Sequence, residues 1–322
     1  VLDIDCAAEA EVITSGLREI VGGILRRRGV VVALSGGVDS SVCVALALRA
    51  FGAKRVLALL LPEPESSPES LKLGLEVVRQ TGVSHAVEPI GPVLEAIGCY
   101  RRRDEAIRRV VPDYGPGWKS KIVIAKQPGA GLSYFRLVVQ DQAGEQQTIR
   151  LPAAEYLQIV AATSFKQRIR KTLEYFHADR LNYAVLGTPN RLEYDQGFFV
   201  KNGDGAADVK PIAHLYKTQV HALARYLGLP REVCEAQSTA DTYTLAQGQE
   251  EFYFALPLER MDLALWARNH GIDSEAAADA LGLTRTEAAA VWADIDAKRR
   301  GAAYLHARPA LVMPVPEVGD TL

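Results

Sequence analysis

Val31-Val32-Ala33-Leu34-Ser35-Gly36-Gly37-Val38-Asp39-Ser40-Ser41 decides how this chain is read. β-Branched residues of a buried strand run straight into a glycine loop, and the apolar helical segment 42–51 follows at once. Gly36 and Gly37 let the backbone approach an anion closely, so that successive amides point at phosphate oxygens. The helix that follows adds its positive N-terminal end at the same place. Ser35, Ser40 and Ser41 offer hydroxyl donors, and Val38 contributes a backbone amide. Asp39 favours phosphate only with a cation between them, which points to a nucleotide pyrophosphate with a divalent metal. The loop lacks the Gly-Lys-Ser/Thr ending of a Walker loop and the Gly-x-Gly-x-x-Gly of dinucleotide folds. A plain glycine turn between strand and helix is the bland alternative.

Composition sets the outer bounds. The chain has 322 residues, enough for one large or two small domains, and 48% apolar with 24% charged residues is ordinary for a globular protein. Lys plus Arg (37) nearly balance Asp plus Glu (39), which argues against non-specific nucleic-acid binding. Cys6, Cys43, Cys99 and Cys234 are far apart and form no Cys-x-x-Cys pair, so they read as isolated thiols of a reducing compartment. With no signal peptide and no long apolar span, a cytoplasmic protein without membrane contact is expected.

Outward from the loop, residues 7–28 carry apolar positions at helical spacing, and residues 55–61 read as a second buried strand. Residues 70–80 are helical, 84–87 a short strand, 153–178 a long helix and 182–186 another strand. Strands alternating with helices predict a doubly wound parallel α/β sheet with ligands beyond the strands' carboxyl ends, where Ser35 to Ser41 fall. Residues 100–151 interrupt that rhythm as an insertion. Within it, segments 133–140 and 146–151 flank Asp141-Gln142-Ala143-Gly144-Glu145 and predict a β-hairpin. The run Arg101-Arg102-Arg103, with Arg108 and Arg109, reads as a solvated helix face. The C-terminal part, about 257–300, is helical, with Gly271 and Gly282 as caps, and irregular structure is expected after Gly301. The whole is expected to form a single domain.

A second cluster follows the strand at 182–186. Leu186-Gly187-Thr188-Pro189-Asn190-Arg191-Leu192-Glu193 leads to Gly197-Phe198-Phe199-Val200-Lys201-Asn202-Gly203-Asp204-Gly205-Ala206-Ala207-Asp208, then to Pro211-Ile212-Ala213-His214-Leu215-Tyr216-Lys217-Thr218-Gln219-Val220. With the first loop, these blocks resemble the ammonia-dependent NAD synthetases among the N-type ATP pyrophosphatases, whose pattern runs SGGxDS, GTxNxxE, GxFTKxGDGxxD and PIxxLxKTxV. The resemblance implies a Rossmann-like, adenine-nucleotide-α-hydrolase-type sheet with a helical C-terminal part. It implies that Asp39 and Glu193 hold Mg²⁺, with Thr239 adding a ligand, and that Lys217 faces the ATP phosphates. ATP would lie along Ser35, Gly36, Gly37, Val38, Asp39, Ser40 and Ser41, with Thr188 and Thr239. Arg168, of Lys166-Gln167-Arg168-Ile169-Arg170, would sit near nucleotide phosphates, and Lys201, Asp204 and Asp208 near deamido-NAD. On the residues alone, Arg170 is a surface charge, Lys217 a solvated lysine, and Asp208 a turn cap or a partner for Lys217. The histidines show no metal-ligand spacing.

The implied reaction needs no protein nucleophile. A substrate carboxylate attacks the α-phosphorus of ATP, releasing pyrophosphate, and ammonia then displaces AMP from the acyl-adenylate. Only a short helix precedes the first strand, so a glutaminase domain is not expected, and the nitrogen comes from free ammonia or a separate amidotransferase. The family is homodimeric, which makes a homodimer the expectation. Gln237-Ser238-Thr239-Ala240-Asp241-Thr242 lacks the family block's proline and leucine, and Gly248-Gln249-Glu250-Glu251 lacks the spacer and aspartate of GQxDE. Those departures leave two alternatives: a ligase of the same fold acting on another carboxylic acid, and a non-catalytic nucleotide-binding module.

Overall fold

A computed structural model describes residues 1–126, 133–236, 243–245, 253–254 and 256–317. Thr239 and the motifs at 237–242 and 248–251 lie outside the described residues.

Four strands make the central sheet: β1 (Val30–Ala33), β2 (Val56–Leu60), β3 (Ser84–Val87) and β7 (Ala184–Leu186). They run parallel in the order β3-β2-β1-β7, with Val30 opposite Val56 on one side and Ala184 on the other. Strand alternation divides their side chains between two cores. Val30, Val32, Val56, Ala58 and Leu60 pack on one face with α1 (Cys6–Arg18), α2 (Val38–Phe51), α3 (Pro68–Thr81), α8 (Lys217–Tyr226) and α9 (Arg231–Glu235). Val31, Leu57, Leu59 and Val185 pack on the other face with α4 (Gly91–Ala96), α5 (Cys99–Arg108) and α6 (Ala153–Leu181). Both faces being covered explains why the strands read as continuous apolar runs.

The chain leaves β1 toward β2 and β3, then returns to the opposite side of β1 through β7. The order therefore reverses between β1 and β7, and a crevice opens beyond their carboxyl ends. The loops at those two ends are residues 34–37 and 187–190.

The insertion is richer than a hairpin. Strands β5 (Ser133–Gln140) and β6 (Gln146–Arg150) pair antiparallel as expected, and β4 (Lys119–Lys126) adds a third strand along β5. Ile122, Leu137 and Val139 form a separate small core with Ala106, Ile107 and Ile159. The edge of β4 also holds residues 243–245: Ser120 N–H donates to Thr244 Oγ1 at 2.6 Å, and Leu245 N–H to the Ser120 carbonyl at 3.2 Å.

The basic run is solvated as expected at Arg101, Arg102, Arg108 and Arg109, and departs from expectation at one position. Arg101 and Arg102 are exposed, but Arg103 lies two residues further round α5 and is buried. Its guanidinium bonds both oxygens of Glu65 at 2.6 Å, and Lys166 Nζ contacts Glu63 at 2.8 Å and Glu65 at 2.7 Å. Tyr100 donates to Glu63 at 2.7 Å. This network ties the loop after β2 to α5 and α6.

The C-terminal helices α10 (Leu258–Asn269), α11 (Ser274–Ala278) and α12 (Arg285–His306) form their own core around Met261, Leu265, Trp292 and Ile295. Gly271 and Gly282 have positive φ of 70° and 59°, as caps require. Helix α12 carries on past Gly301 to His306, where irregular structure was expected. Thr284 and Glu287 form the capping box that starts it. Among the described residues no helix is long and apolar enough to cross a membrane, and the four cysteines are free thiols.

Candidate active site

The crevice between β1 and β7 opens into a cavity of about 860 Å³. Ser35 to Ser40, Thr188, Glu193 and Lys217 line it, with one face of α6 and aromatic residues of the insertion and the C-terminal part.

Gly36 fixes the first loop. Its φ is +83°, and a Cβ there would stand 2.3 Å from the Ser70 carbonyl oxygen at the start of α3. Only glycine meets both conditions. Gly37 caps α2, whose first-turn amides have no intrahelical acceptor and face the cavity end of the loop. Ser35 is exposed and its hydroxyl is 3.2 Å from that of Ser40. Ser40 and Ser41 are buried, and both hydroxyls also donate back to the Gly37 carbonyl, at 3.1 and 2.8 Å. Ser41 is absent from the cavity wall. In this conformation its hydroxyl holds the turn rather than facing a ligand.

Asn190 joins the two loops. Its Oδ1 caps α7 (Arg191–Gln196) by accepting from the amides of Leu192 and Glu193 at 3.0 and 3.1 Å. Its Nδ2 donates to Asp39 Oδ1 at 3.1 Å. Glu193 completes the capping box by accepting from Asn190 N–H at 3.2 Å. The spacing Asn-x-x-Glu carries this signal in the sequence, although Asn190 was not singled out there.

Lys217 opens α8 with a side chain only 4% exposed and donates to Asp39 Oδ2. It is therefore not the solvated lysine its residue type suggests. Burial pushes its ammonium down, but the carboxylates of Asp39 and Glu193 outweigh burial and hold it above the ordinary lysine range. Behind it, Asp262 of α10 is fully buried and accepts from Thr218 N–H at 2.8 Å, capping α8 from another helix. Burial pushes its carboxyl up to about 6, offset only in part by that amide.

Helix α6 presents Tyr156, Val160, Thr163, Gln167, Arg170, Lys171 and Glu174 to the cavity, a set at helical spacing. Arg168 falls off that face: it is exposed and donates to the Lys201 carbonyl at 3.3 Å. Arg170 and Lys171 line the cavity instead, with Lys171 paired to buried Glu174 at 2.8 Å. Burial pushes the Glu174 carboxyl up despite that partner. Lys201 turns away from the cavity and donates to the carbonyls of Tyr304 and Ala307 at 2.7 and 3.0 Å, capping the end of α12. Asp204 lines the cavity and accepts from Val200 N–H at 2.7 Å. Asp208 does not line it: its carboxylate accepts from Val185 N–H at 2.8 Å and from Tyr175 at 3.2 Å, so it secures β7.

Asp39 and Glu193 thus flank one buried ammonium beside a row of helix-terminal amides. Two carboxylates open to a ligand are a set suited to Mg²⁺, which takes one or two protein carboxylates and completes its shell with phosphate and water. Asp39 already holds a cationic group in Lys217. Among the described residues no three His, Cys, Asp or Glu side chains converge, so a closed all-protein metal cage is absent there.

The family model described as NAD synthase matches residues 9–110 and 123–299. The chain is 60% identical to the NH(3)-dependent NAD(+) synthetase of Rhizobium meliloti, over 98% of its length and 95% of the relative's. It is 58% identical to that of Mesorhizobium japonicum, over 98% and 99%. Its fold is similar to an NH3-dependent NAD synthetase from Campylobacter jejuni (TM-score 0.63, 21% identity, 96% and 100% of the two chains). An NMN synthetase from Francisella tularensis has a similar fold as well (TM-score 0.66, 20% identity, 97% and 100%).

Proposed function

The chain belongs to the NAD synthase family, and from that membership and the geometry of the crevice we infer that it is a carbon–nitrogen ligase that amidates deamido-NAD with ammonia at the expense of ATP. One observation carries the reading of the site: Asp39, Lys217 and Glu193 meet at the reversal of the sheet, against the amides of α2. Mere adenine binding does not call for that set of charges.

In the first step the nicotinate carboxylate attacks the α-phosphorus, the bond to the β-phosphate oxygen breaks, and pyrophosphate leaves. In the second, ammonia attacks the acyl-adenylate carbonyl, AMP leaves, and a proton is released. The protein's share is to hold two anions at attack distance and to offset their repulsion. The loop amides from Gly36 to Ser40 and the positive end of α2 receive the triphosphate. Lys217 neutralises charge on the departing pyrophosphate, and Arg170 and Lys171, on the same cavity, serve anionic groups of either nucleotide. Mg²⁺, held by Asp39 and Glu193, would supply Lewis-acid neutralisation of the phosphate oxygens. Thr188 and Asp204 border the same space, whereas Ser41, Arg168, Lys201 and Asp208 act here through the scaffold.

A homodimer fits the surface of α6, where Leu157 is 64% and Phe176 57% exposed. Four free thiols fit a cytoplasmic, reducing setting. We read the chain as one unit in which residues 100–151 are inserted and residues 257–300 close one side.

The test is an incubation with ATP, Mg²⁺, ammonium and deamido-NAD, following AMP, pyrophosphate and NAD. All three products must rise together. Pyrophosphate released with another acid and none with deamido-NAD would shift the acceptor, and no pyrophosphate with any acid would leave only a binding module.

A further inference from the structure

Helix α7, which carries Glu193, has six residues, fewer than two turns, and a helix that short does not hold its place by itself. Asn190 fixes its start and reaches across to Asp39. Its other end is fixed from a distant part of the chain. Arg299, Ala302 and His306 lie along one face of α12 at helical spacing, and each meets α7 or its cap. The Arg299 guanidinium donates to both oxygens of Asp195 at 2.7 Å, and the Asp195 side chain is only 11% exposed. Gly197, the C-cap, comes so close to α12 that a Cβ on it would stand 2.6 Å from the Ala302 Cβ. One turn further on, His306 donates to the Tyr194 carbonyl at 2.9 Å.

Glu193 and Asp195 are two residues apart, about 200° round the helix, so α7 shows one to the crevice and the other to α12. Whatever fixes Asp195 therefore fixes the side of α7 from which Glu193 enters the site. Mg²⁺ demands near-octahedral oxygens at about 2.0–2.1 Å, so a carboxylate displaced by a fraction of that distance is a poorer ligand. A guanidinium fork sets both the distance and the tilt of its partner, where an ammonium sets the distance alone.

We propose that this face of α12 is the seat of α7, and that Arg299 is a positioning residue acting through Glu193 on the divalent metal that accompanies ATP. The inference rests on the reading of Glu193 as a metal-holding carboxylate. Arg299 does not line the cavity, and its effect travels through Asp195 and the short helix alone. The C-terminal helices then belong to the metal site and do more than close one side of the crevice.

Arg299→Lys keeps the charge and removes the fork. Mn²⁺, which takes the same oxygen shell as Mg²⁺, is titrated into the full chain with ATP and followed by electron spin resonance. Deamido-NAD is left out, so no turnover is needed. The expected Kd for Mn²⁺ is about 10-fold weaker than wild type, while ATP without metal, measured by calorimetry, binds within twofold. Glu193→Gln should weaken Mn²⁺ binding as well, and adding Arg299→Lys to it should change nothing further, because the route through Glu193 is gone. A general loss of structure would instead add in both backgrounds. If Arg299→Lys does not melt cooperatively, Asp195→Asn reads the same clamp from α7. Wild-type Mn²⁺ affinity in Arg299→Lys beside a weakened Glu193→Gln, or full additivity of the two, would overturn the seat. Wild-type affinity in Glu193→Gln would overturn the metal reading beneath it, and the seat with it.

Discussion

Replacing Lys217 by methionine separates the two tasks of its ammonium. The side chain is 4% exposed and lies against Asp39, so methionine keeps the unbranched apolar stem and leaves little void. What is lost is charge. Breaking one partner of a fully buried pair costs about 3–5 kcal/mol. Asp39, however, keeps 16% of its side chain in solvent and retains the Asn190 amide at 3.1 Å. The cost should therefore fall to about 1–2 kcal/mol, a few degrees of melting temperature in a chain of this size. Activity should fall much further, because removing one oriented donor from a developing anion costs about 10²–10³ in kcat. Urea unfolding and deamido-NAD-dependent ATP–pyrophosphate exchange measure the two effects on the same preparation. The sign with pH is fixed by the raised ammonium. Its stabilisation is fully present below the ordinary lysine range and is lost only as pH rises through the higher value in the folded state. The stability gap between variant and wild type should thus stay flat between about pH 6 and pH 9. A kcat within threefold of wild type, or a gap that closes in that interval, would refute the argument.

Asp262→Asn keeps an acceptor for Thr218 N–H and removes the buried charge. The wild-type carboxyl is pushed up to about 6, so its burial penalty is absent below the unfolded value, grows as pH rises from there to about 6 and is constant above. The variant should gain stability relative to wild type between about pH 4 and pH 7 in thermal melts, and a constant difference would rule out a buried ionised Asp262. Lys166→Met strands Glu63, whose side chain has no exposed surface, and should cost about 3–5 kcal/mol in urea unfolding; a loss under about 1 kcal/mol would show that Tyr100 and the Glu65 amide suffice for that carboxylate. Phe176→Asp charges an exposed apolar position of α6 and should convert a dimer to monomer in sedimentation, whereas an unchanged mass would move the interface elsewhere.

What could be read in the sequence was whatever rests on neighbours along the chain. The strand running into Ser35–Ser41 gave β1, the loop and α2, because burial, glycine freedom and a helix start all act within a few residues. The Asn-x-x-Glu of 190–193 and the Thr-x-x-Glu of 284–287 are capping boxes, and both are observed. The hairpin was legible through its turn and its alternation. Strand β4 was not, since its pairing with β5 is set by tertiary contact and only part of its sequence alternates.

The misreadings share one physical origin. Arg103, and on the residues alone Lys217, were judged by residue type, and a lone Lys or Arg is usually solvated. Each is buried because a carboxylate far away in sequence meets it: Glu65 and Asp39 respectively. Arg168 and Arg170 show the same limit at short range. Both belong to one basic segment, but two residues on a helix differ by about 200°, so only the side that packs decides which one faces the cavity. Here α6 turns Arg170 inward because Ile159 buries in the insertion's core and Ala178 against the sheet. The motif therefore tells that a basic helix is present, and the packing of that helix tells which of its cations faces the cavity.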